Sequence, residues 1–185
     1  MHTSDKQTET AYPHPEPGVI PPCPVGPDAL VGIPRQQTNP GLWHGAGWDA
    51  FVADLAVQGI VVDEQRISRS HYVTDAGGVA FGLPHGVVVA RSTGMVAAIL
   101  RAAQQHRVPV TVRGGGLTTE GETVAFGGLQ LDLRGISRVL NVDRDALTVR
   151  CEAGIAWHAL AESLRRHGLD YLSAPLNLTA SVGGT

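Results

Sequence analysis

Hydrophobic and polar positions recur with two different periods along this chain, and each period predicts a different kind of element. Apolar residues at helical spacing predict helices over 48–58 and 92–106. β-branched runs predict strands over 86–91 and 108–112, whereas turn residues predict a loop over 66–83. The order strand, helix, strand indicates a βαβ unit, which has a right-handed crossover if its strands are parallel neighbours.

Farther along, the period changes to 2. Three leucines alternate with polar residues over 129–133, and two more short strands are predicted at 139–142 and 147–151. Because only short polar turns separate these runs, they are typical of a meander or a sheet edge. Asp132 lies between two leucines and is expected to point away from the apolar face, into solvent. A last helix is predicted over 157–167.

The amino-terminal region has a different composition. Of the 12 prolines, nine lie in the first 40 residues, in a stretch without either period and with little apolar surface to bury. We therefore predict a flexible Pro-rich tail over residues 1–46 and one folded part over residues 47–185.

Charge and composition exclude several functions. The 14 basic residues are scattered among 17 acidic ones, which argues against a nucleic-acid surface. No apolar run approaches the roughly 20 residues of a membrane span, and the first residues have no signal-peptide pattern. We expect a soluble, cytoplasmic protein. The histidines and the cysteines Cys23 and Cys151 lack metal-site spacing, so no metal site is predicted.

The sharpest local feature is a glycine-rich loop directly after the strand at 108–112. Gly114, Gly115 and Gly116 let a large anion approach the backbone amides without Cβ interference. Thr118 and Thr119 add hydroxyl donors and Arg113 a positive charge, so the loop suits a diphosphate. It is neither a Walker A loop nor a Rossmann fingerprint, because no Gly-Lys-Ser/Thr follows and no helix opens after it. A connector without a ligand is the alternative.

Six segments, in order, resemble the FAD-binding domain of the p-cresol methylhydroxylase and vanillyl-alcohol oxidase superfamily, including its cytokinin-dehydrogenase-like and berberine-bridge-like FAD-linked oxidases. The segments are Pro84-His-Gly-Val-Val-Val, the helix from Ser92 to His106, Val108-Pro-Val-Thr-Val-Arg-Gly-Gly-Gly, Gly127-Gly-Leu-Gln-Leu-Asp-Leu, Val149-Arg-Cys-Glu-Ala-Gly-Ile-Ala-Trp and Ser181-Val-Gly-Gly-Thr185. The resemblance covers roughly residues 48–185.

This resemblance implies an α+β fold. The chain would be the N-terminal portion of a two-subdomain FAD-binding domain, a βαβ unit followed by a small further sheet and a helix, incomplete at its C-terminus. The second subdomain and the substrate domain would be absent. The resemblance also implies FAD contacts from Gly114, Gly115, Gly116, Leu117, Thr118, Glu122, Ser181, Gly183 and Gly184.

Two positions depart from the family pattern. Many relatives carry a histidine after the glycine loop, in a triplet similar to GHS, and attach it covalently to the flavin. This chain has Leu117 there, so FAD would be bound non-covalently. In cytokinin dehydrogenases a catalytic aspartate precedes the VGGT segment, whereas the corresponding position here is Leu176. The chain is therefore not expected to be a cytokinin dehydrogenase, and no catalytic residue is predicted.

Two functions stay open at this point. The first is an FAD-linked oxidase or dehydrogenase, in which hydride passes from a carbon of an unknown small-molecule substrate to the flavin in the full-length enzyme. The second is a truncated, non-catalytic remnant or a nucleotide-diphosphate-binding module without activity. The glycine turn that ends at Thr185 suggests a chain that stops inside a domain, whose missing C-terminal half or partner chain would complete it.

Overall fold

The computed structural model describes Trp43 and residues 45–185. The tail predicted for residues 1–46 therefore lies outside the described residues, except for Trp43, Gly45 and Ala46. The described part contains four helices, α1 (Trp48–Val57), α2 (Arg66–Ser70), α3 (Thr93–His106) and α4 (Trp157–Arg165). Its five strands are β1 (Gly86–Val89), β2 (Val110–Arg113), β3 (Leu129–Asp132), β4 (Val139–Asp143) and β5 (Thr148–Cys151), and Val182–Gly184 form a 3-10 turn.

Strands β1, β3 and β2 form a parallel sheet in that spatial order. Leu131 in the centre pairs with Val88 on one side and Val112 on the other. The predicted βαβ unit exists in sequence, but its strands are not neighbours, because β3 lies between them. The prediction that residues 129–133 belong to a meander is wrong for the same reason. All four residues of β3 are buried, as expected for a strand covered on both faces.

Helices α1 and α3 cover one face of this sheet. Phe51 and Leu55 of α1 and Ile99 of α3 are completely buried, and they pack in one core with Leu129 and Leu131 of β3. The helical spacing of the apolar residues in the sequence thus corresponds to the faces that meet the sheet. The hydroxyl of Ser92 accepts a hydrogen bond from the Met95 amide at 3.1 Å and caps α3.

A second, smaller core lies farther along the chain. Strands β4 and β5 pair in antiparallel fashion, as expected for two short strands joined by a polar turn. Helix α4 packs on this hairpin through Leu160 and Leu164, and Ile155, just before the helix, completes this core. The mixed α and β architecture expected from the sequence is confirmed, and none of the described helices is long and apolar enough to cross a membrane.

Candidate cofactor-binding site

The glycine loop lies at the carboxyl edge of the parallel sheet, directly after β2. Gly116 has a positive φ of 68°, a conformation that favours glycine. A Cβ atom on Gly114 would overlap Ser181 Oγ, and one on Gly116 would overlap the guanidinium group of Arg113. The loop therefore needs glycine at both positions for steric reasons.

The structure brings the two predicted loops together. Ser181 lies against Gly114, and a Cβ on Gly115 would stand 3.1 Å from the carbonyl oxygen of Thr179. Ser181 is buried, and its backbone forms an antiparallel bridge with Ala156 at the start of α4. Two segments more than 60 residues apart in sequence thus form one local surface.

The two loops differ in the state of their backbone amides. Within the described residues, the amides of Gly114, Gly115, Gly116, Leu117 and Thr118 donate no hydrogen bond. The Gly183 amide, in contrast, donates to the Ala153 carbonyl at 2.9 Å, and the Gly184 amide donates to the Ser181 carbonyl at 3.0 Å. The first loop therefore offers a run of consecutive amides without an acceptor among the described residues, which is the arrangement called a nest, whereas Gly183 and Gly184 offer none. The second loop offers the Ser181 hydroxyl, which makes no hydrogen bond in the described part.

Asp75 also belongs to this site, although no sequence pattern predicted it. Its carboxylate accepts hydrogen bonds from the Thr118 hydroxyl at 2.8 Å, the Gly121 amide at 2.9 Å and the Gly77 amide at 3.1 Å. Burial opposes the ionisation of Asp75, but the hydrogen bonds from Thr118, Gly121 and Gly77 outweigh it and hold the pKa of this carboxyl below its usual value. Asp75 lies in the predicted loop 66–83, where no local pattern marks it.

The side chain of Arg113, which was expected to add a positive charge to the loop, contacts the segment before Asp75. Its Nη1 donates to the carbonyl oxygen of Thr74 at 2.9 Å, and its guanidinium carbon lies 5.5 Å from the centre of the Tyr72 ring. Burial and the nearby charge of Arg134 lower the pKa of Arg113. Arg113 therefore holds the segment before Asp75 in place, and its guanidinium group lies beside Gly116.

Asp132 corrects the expectation that its side chain lies in solvent, since it is fully buried. Its carboxylate accepts hydrogen bonds from the Tyr72 hydroxyl at 2.8 Å and from Nε of Arg134 at 2.9 Å. Burial opposes its ionisation, but the bonds from Arg134 and Tyr72 keep the pKa of Asp132 below its ordinary value. Burial and the hydrogen bond to the Asp132 carboxylate raise the pKa of Tyr72, although the nearby Arg134 opposes this rise. The second face of the sheet is thus covered by Tyr72 at this point, which the alternation in β3 did not reveal.

The remaining predicted residues make fewer contacts. Leu117 is half-buried and lies near Gly115, and Glu122 is exposed and makes no hydrogen bond with a described residue. Leu176 is fully exposed. Among the described residues, no three His, Cys, Asp or Glu side chains come together as a metal site would require.

A parallel sheet whose carboxyl edge carries a glycine loop with free amides, facing a second loop, defines an α and β domain of the kind that binds a nucleotide cofactor. The model of the FAD binding domain family matches residues 84–185, more than half of the chain. The chain belongs to this family, and FAD is its cofactor.

Sequence relatives agree with this assignment. The chain is 29% identical over 124 residues to glycolate oxidase subunit GlcD of Bacillus subtilis, an alignment that covers 66% of this chain and 26% of the relative. It is 35% identical over 106 residues to the mitochondrial D-lactate dehydrogenase [cytochrome] of Arabidopsis thaliana, covering 57% of this chain and 18% of that protein. The D-2-hydroxyglutarate dehydrogenase of Escherichia coli is 36% identical over 141 residues, an alignment that covers 72% of this chain and 14% of that protein.

Solved structures confirm the fold. An alkyldihydroxyacetonephosphate synthase superposes with a TM-score of 0.66 and 20% identity, covering 74% of this chain and 30% of its own. A chitooligosaccharide oxidase superposes with a TM-score of 0.64 and 20% identity, and the superposition covers 73% of this chain and 29% of the oxidase. These superpositions confirm the fold that the resemblance implied, and the chain spans less than a third of each of these proteins.

Proposed function

We propose that this chain is the FAD-binding part of an oxidoreductase and that the diphosphate of FAD lies on the amides of residues 114–118. The observation that carries the proposal is that these amides have no acceptor within the described part of the chain. Buried or half-buried amides without partners are costly, and an anion would satisfy several of them at once. Ser181, which contacts Gly114, would close the opposite side of the site.

The sequence supports non-covalent binding. The side chain of Leu117 is a hydrocarbon and cannot form a bond to the flavin, and the neighbouring Gly116 and Thr118 offer no imidazole. FAD bound in such a domain supplies a ring that accepts a hydride from a substrate carbon. The residues of this chain would bind and orient the cofactor, and we assign none of them a catalytic role.

For the whole protein we propose a small 2-hydroxy acid as substrate. Three relatives are named for glycolate, D-lactate and D-2-hydroxyglutarate, which all carry a hydroxyl group next to a carboxylate. The substrate site would come from a further C-terminal half or a partner chain. A cytoplasmic location and the absence of a nucleic-acid partner stay predictions from the sequence.

The test uses the purified chain mixed with FAD and then desalted. We expect the protein to keep the yellow flavin absorbance and to release all of it on acid precipitation. Gly116→Ala should lose the absorbance, because its Cβ would overlap Arg113 at a positive φ. Gly94→Ala, in α3 where a Cβ has room, is the matched control and should bind normally. A colourless wild type would refute the FAD site, and flavin in the acid pellet would refute non-covalent binding.

A nucleotide-diphosphate-binding module without activity is the second candidate. It is favoured by one observation: the Gly183 and Gly184 amides already donate to carbonyls of the chain, so these two residues of the second loop offer no amide to a cofactor. Calorimetric titration with ADP and with FAD separates the two. Equal affinities would mean that the flavin ring makes no contact with this chain, whereas tighter binding of FAD would favour the oxidoreductase domain.

A further inference from the structure

We propose that residues 74–78, here named the strap, are a positioning element for the glycine loop, and that Asp75 is its principal positioning residue. This inference rests on the proposed function, since it assumes that the loop binds the diphosphate of FAD. Asp75 would not touch the diphosphate. It would act by fixing the direction in which the loop amides point.

The side chain of Asp75 joins distant parts of the loop. One carboxylate oxygen accepts hydrogen bonds from the Thr118 hydroxyl at 2.8 Å and from the Gly121 amide at 2.9 Å, while the other accepts from the Gly77 amide at 3.1 Å. Asp75 is only 7% exposed. All three partners are donors, so both oxygens must be acceptors. An asparagine would turn an NH₂ group toward a donor in either orientation.

The backbone of the strap holds the loop in the same way. The Ala76 amide donates to the Gly116 carbonyl at 3.0 Å, and the Gly77 amide donates to the Thr118 carbonyl at 3.1 Å. In a trans peptide the C=O of one residue and the N–H of the next point in opposite directions. The amides of Leu117 and Thr119 must therefore point away from the strap. The strap thus fixes the direction of these two N–H groups of the loop.

Gly77 allows this close contact. Its φ is not in the left-handed region, so its backbone conformation does not require glycine. A Cβ at this position would nevertheless overlap the carbonyl group of Thr119. Any larger residue would push the strap from the loop and weaken the two backbone hydrogen bonds.

The experiment measures the dissociation constants of FAD and of inorganic pyrophosphate for wild type, Asp75→Asn and the control Asp63→Asn. Asp63 also accepts a backbone amide hydrogen bond, from Gln65 at 2.9 Å, but it lies outside the loop. We expect Asp75→Asn to weaken both ligands about tenfold or more, because buried donors lose their acceptor, and Asp63→Asn to change them less than twofold.

A second readout separates positioning from a general loss of stability. In amide proton NMR spectra, pyrophosphate should shift the Leu117 and Thr119 signals of wild type and leave those of folded Asp75→Asn nearly unchanged. If Asp75→Asn does not fold, Thr118→Val takes its place, since it removes one hydrogen bond to Asp75 and keeps the Thr118 backbone amide. Its expected loss of affinity is about threefold to tenfold.

The outcomes distinguish the two proposals. If wild type binds neither FAD nor pyrophosphate, the proposed function is refuted, and the positioning role, which assumes it, is refuted with it. If wild type binds both, and folded Asp75→Asn or Thr118→Val binds them within twofold of wild type, the positioning role is refuted and the FAD site stands.

Discussion

Replacing Asp132 by asparagine should destabilise the fold far more than the same change at an exposed acidic residue. The carboxylate is fully buried and accepts hydrogen bonds from the Tyr72 hydroxyl, from the Arg134 amide at 2.9 Å and from the Arg134 guanidinium group. Asparagine has nearly the same shape but carries no charge. Its NH₂ group would face either Tyr72 or the Arg134 side chain, both of which now donate.

The magnitude follows from these contacts. A hydrogen bond to a charged group contributes about 1.5–3 kcal/mol. The Arg134 side chain is 58% exposed, so water can replace part of the hydrogen bonding that it loses. The Tyr72 hydroxyl is buried and cannot form such hydrogen bonds with water. We therefore expect Asp132→Asn to lower the free energy of unfolding by about 2–3 kcal/mol. With a slope of about 2 kcal/mol per M, the urea midpoint falls by roughly 1–1.5 M.

The assay is urea unfolding followed by circular dichroism at neutral pH. Glu162→Gln is the matched control, because Glu162 also pairs with an arginine, Arg166, but both side chains are mostly exposed. Its effect should stay below about 0.5 kcal/mol. Because the folded pKa of Asp132 lies below the unfolded value, its contribution is present above about pH 4 and is lost as pH falls through the folded pKa. Equal midpoints for the two variants would refute the reasoning.

Three further results are expected. Gly114→Ala should lower FAD affinity at least tenfold because its Cβ overlaps Ser181 Oγ, and adding Ser181→Gly should restore part of it; no restoration in a titration would show that the loops do not touch. His85 accepts the Gly128 amide hydrogen bond at 3.0 Å, and burial lowers its pKa, so urea midpoints should fall as pH drops below about 6.5, and His85→Gln should flatten that dependence. Phe51→Ala should cost about 3–5 kcal/mol of unfolding free energy, and a loss under 1 kcal/mol would contradict its place in the core.

Three of the four described helices were predictable from the sequence, whereas α2, which lies in the predicted loop 66–83, and the partners of the strands were not. Helical spacing located α1, α3 and α4 to within a few residues, because each must present one apolar stripe to a sheet. The position of β3 between β1 and β2 has no such local signature. Parallel pairing uses backbone hydrogen bonds, which do not depend on the side chain. Neither run of β-branched residues therefore indicates which strand will pair with it.

The polar residues of β3 show a second limit. Gln130 and Asp132 alternate with leucines, and that alternation normally indicates one solvated face. Both are completely buried here, since Tyr72 reaches Asp132 and the Gln130 side-chain amide donates to the Thr111 carbonyl at 3.0 Å. Period-2 patterning records polarity, and it does not distinguish water from a polar partner supplied by a distant segment.

The candidate site was likewise predictable from the sequence only in part. Three consecutive glycines after a strand predicted where an anion could approach, because the freedom of glycine is a local property. The direction of the Leu117 and Thr119 amides is not a local property, because the strap sets it through the carbonyls of Gly116 and Thr118 and through Asp75. The strap binds mainly through backbone groups, and its one essential side chain resembles any loop aspartate. A glycine motif therefore indicates that a nest can form, and the segment that packs beneath it determines whether the nest is open to a ligand.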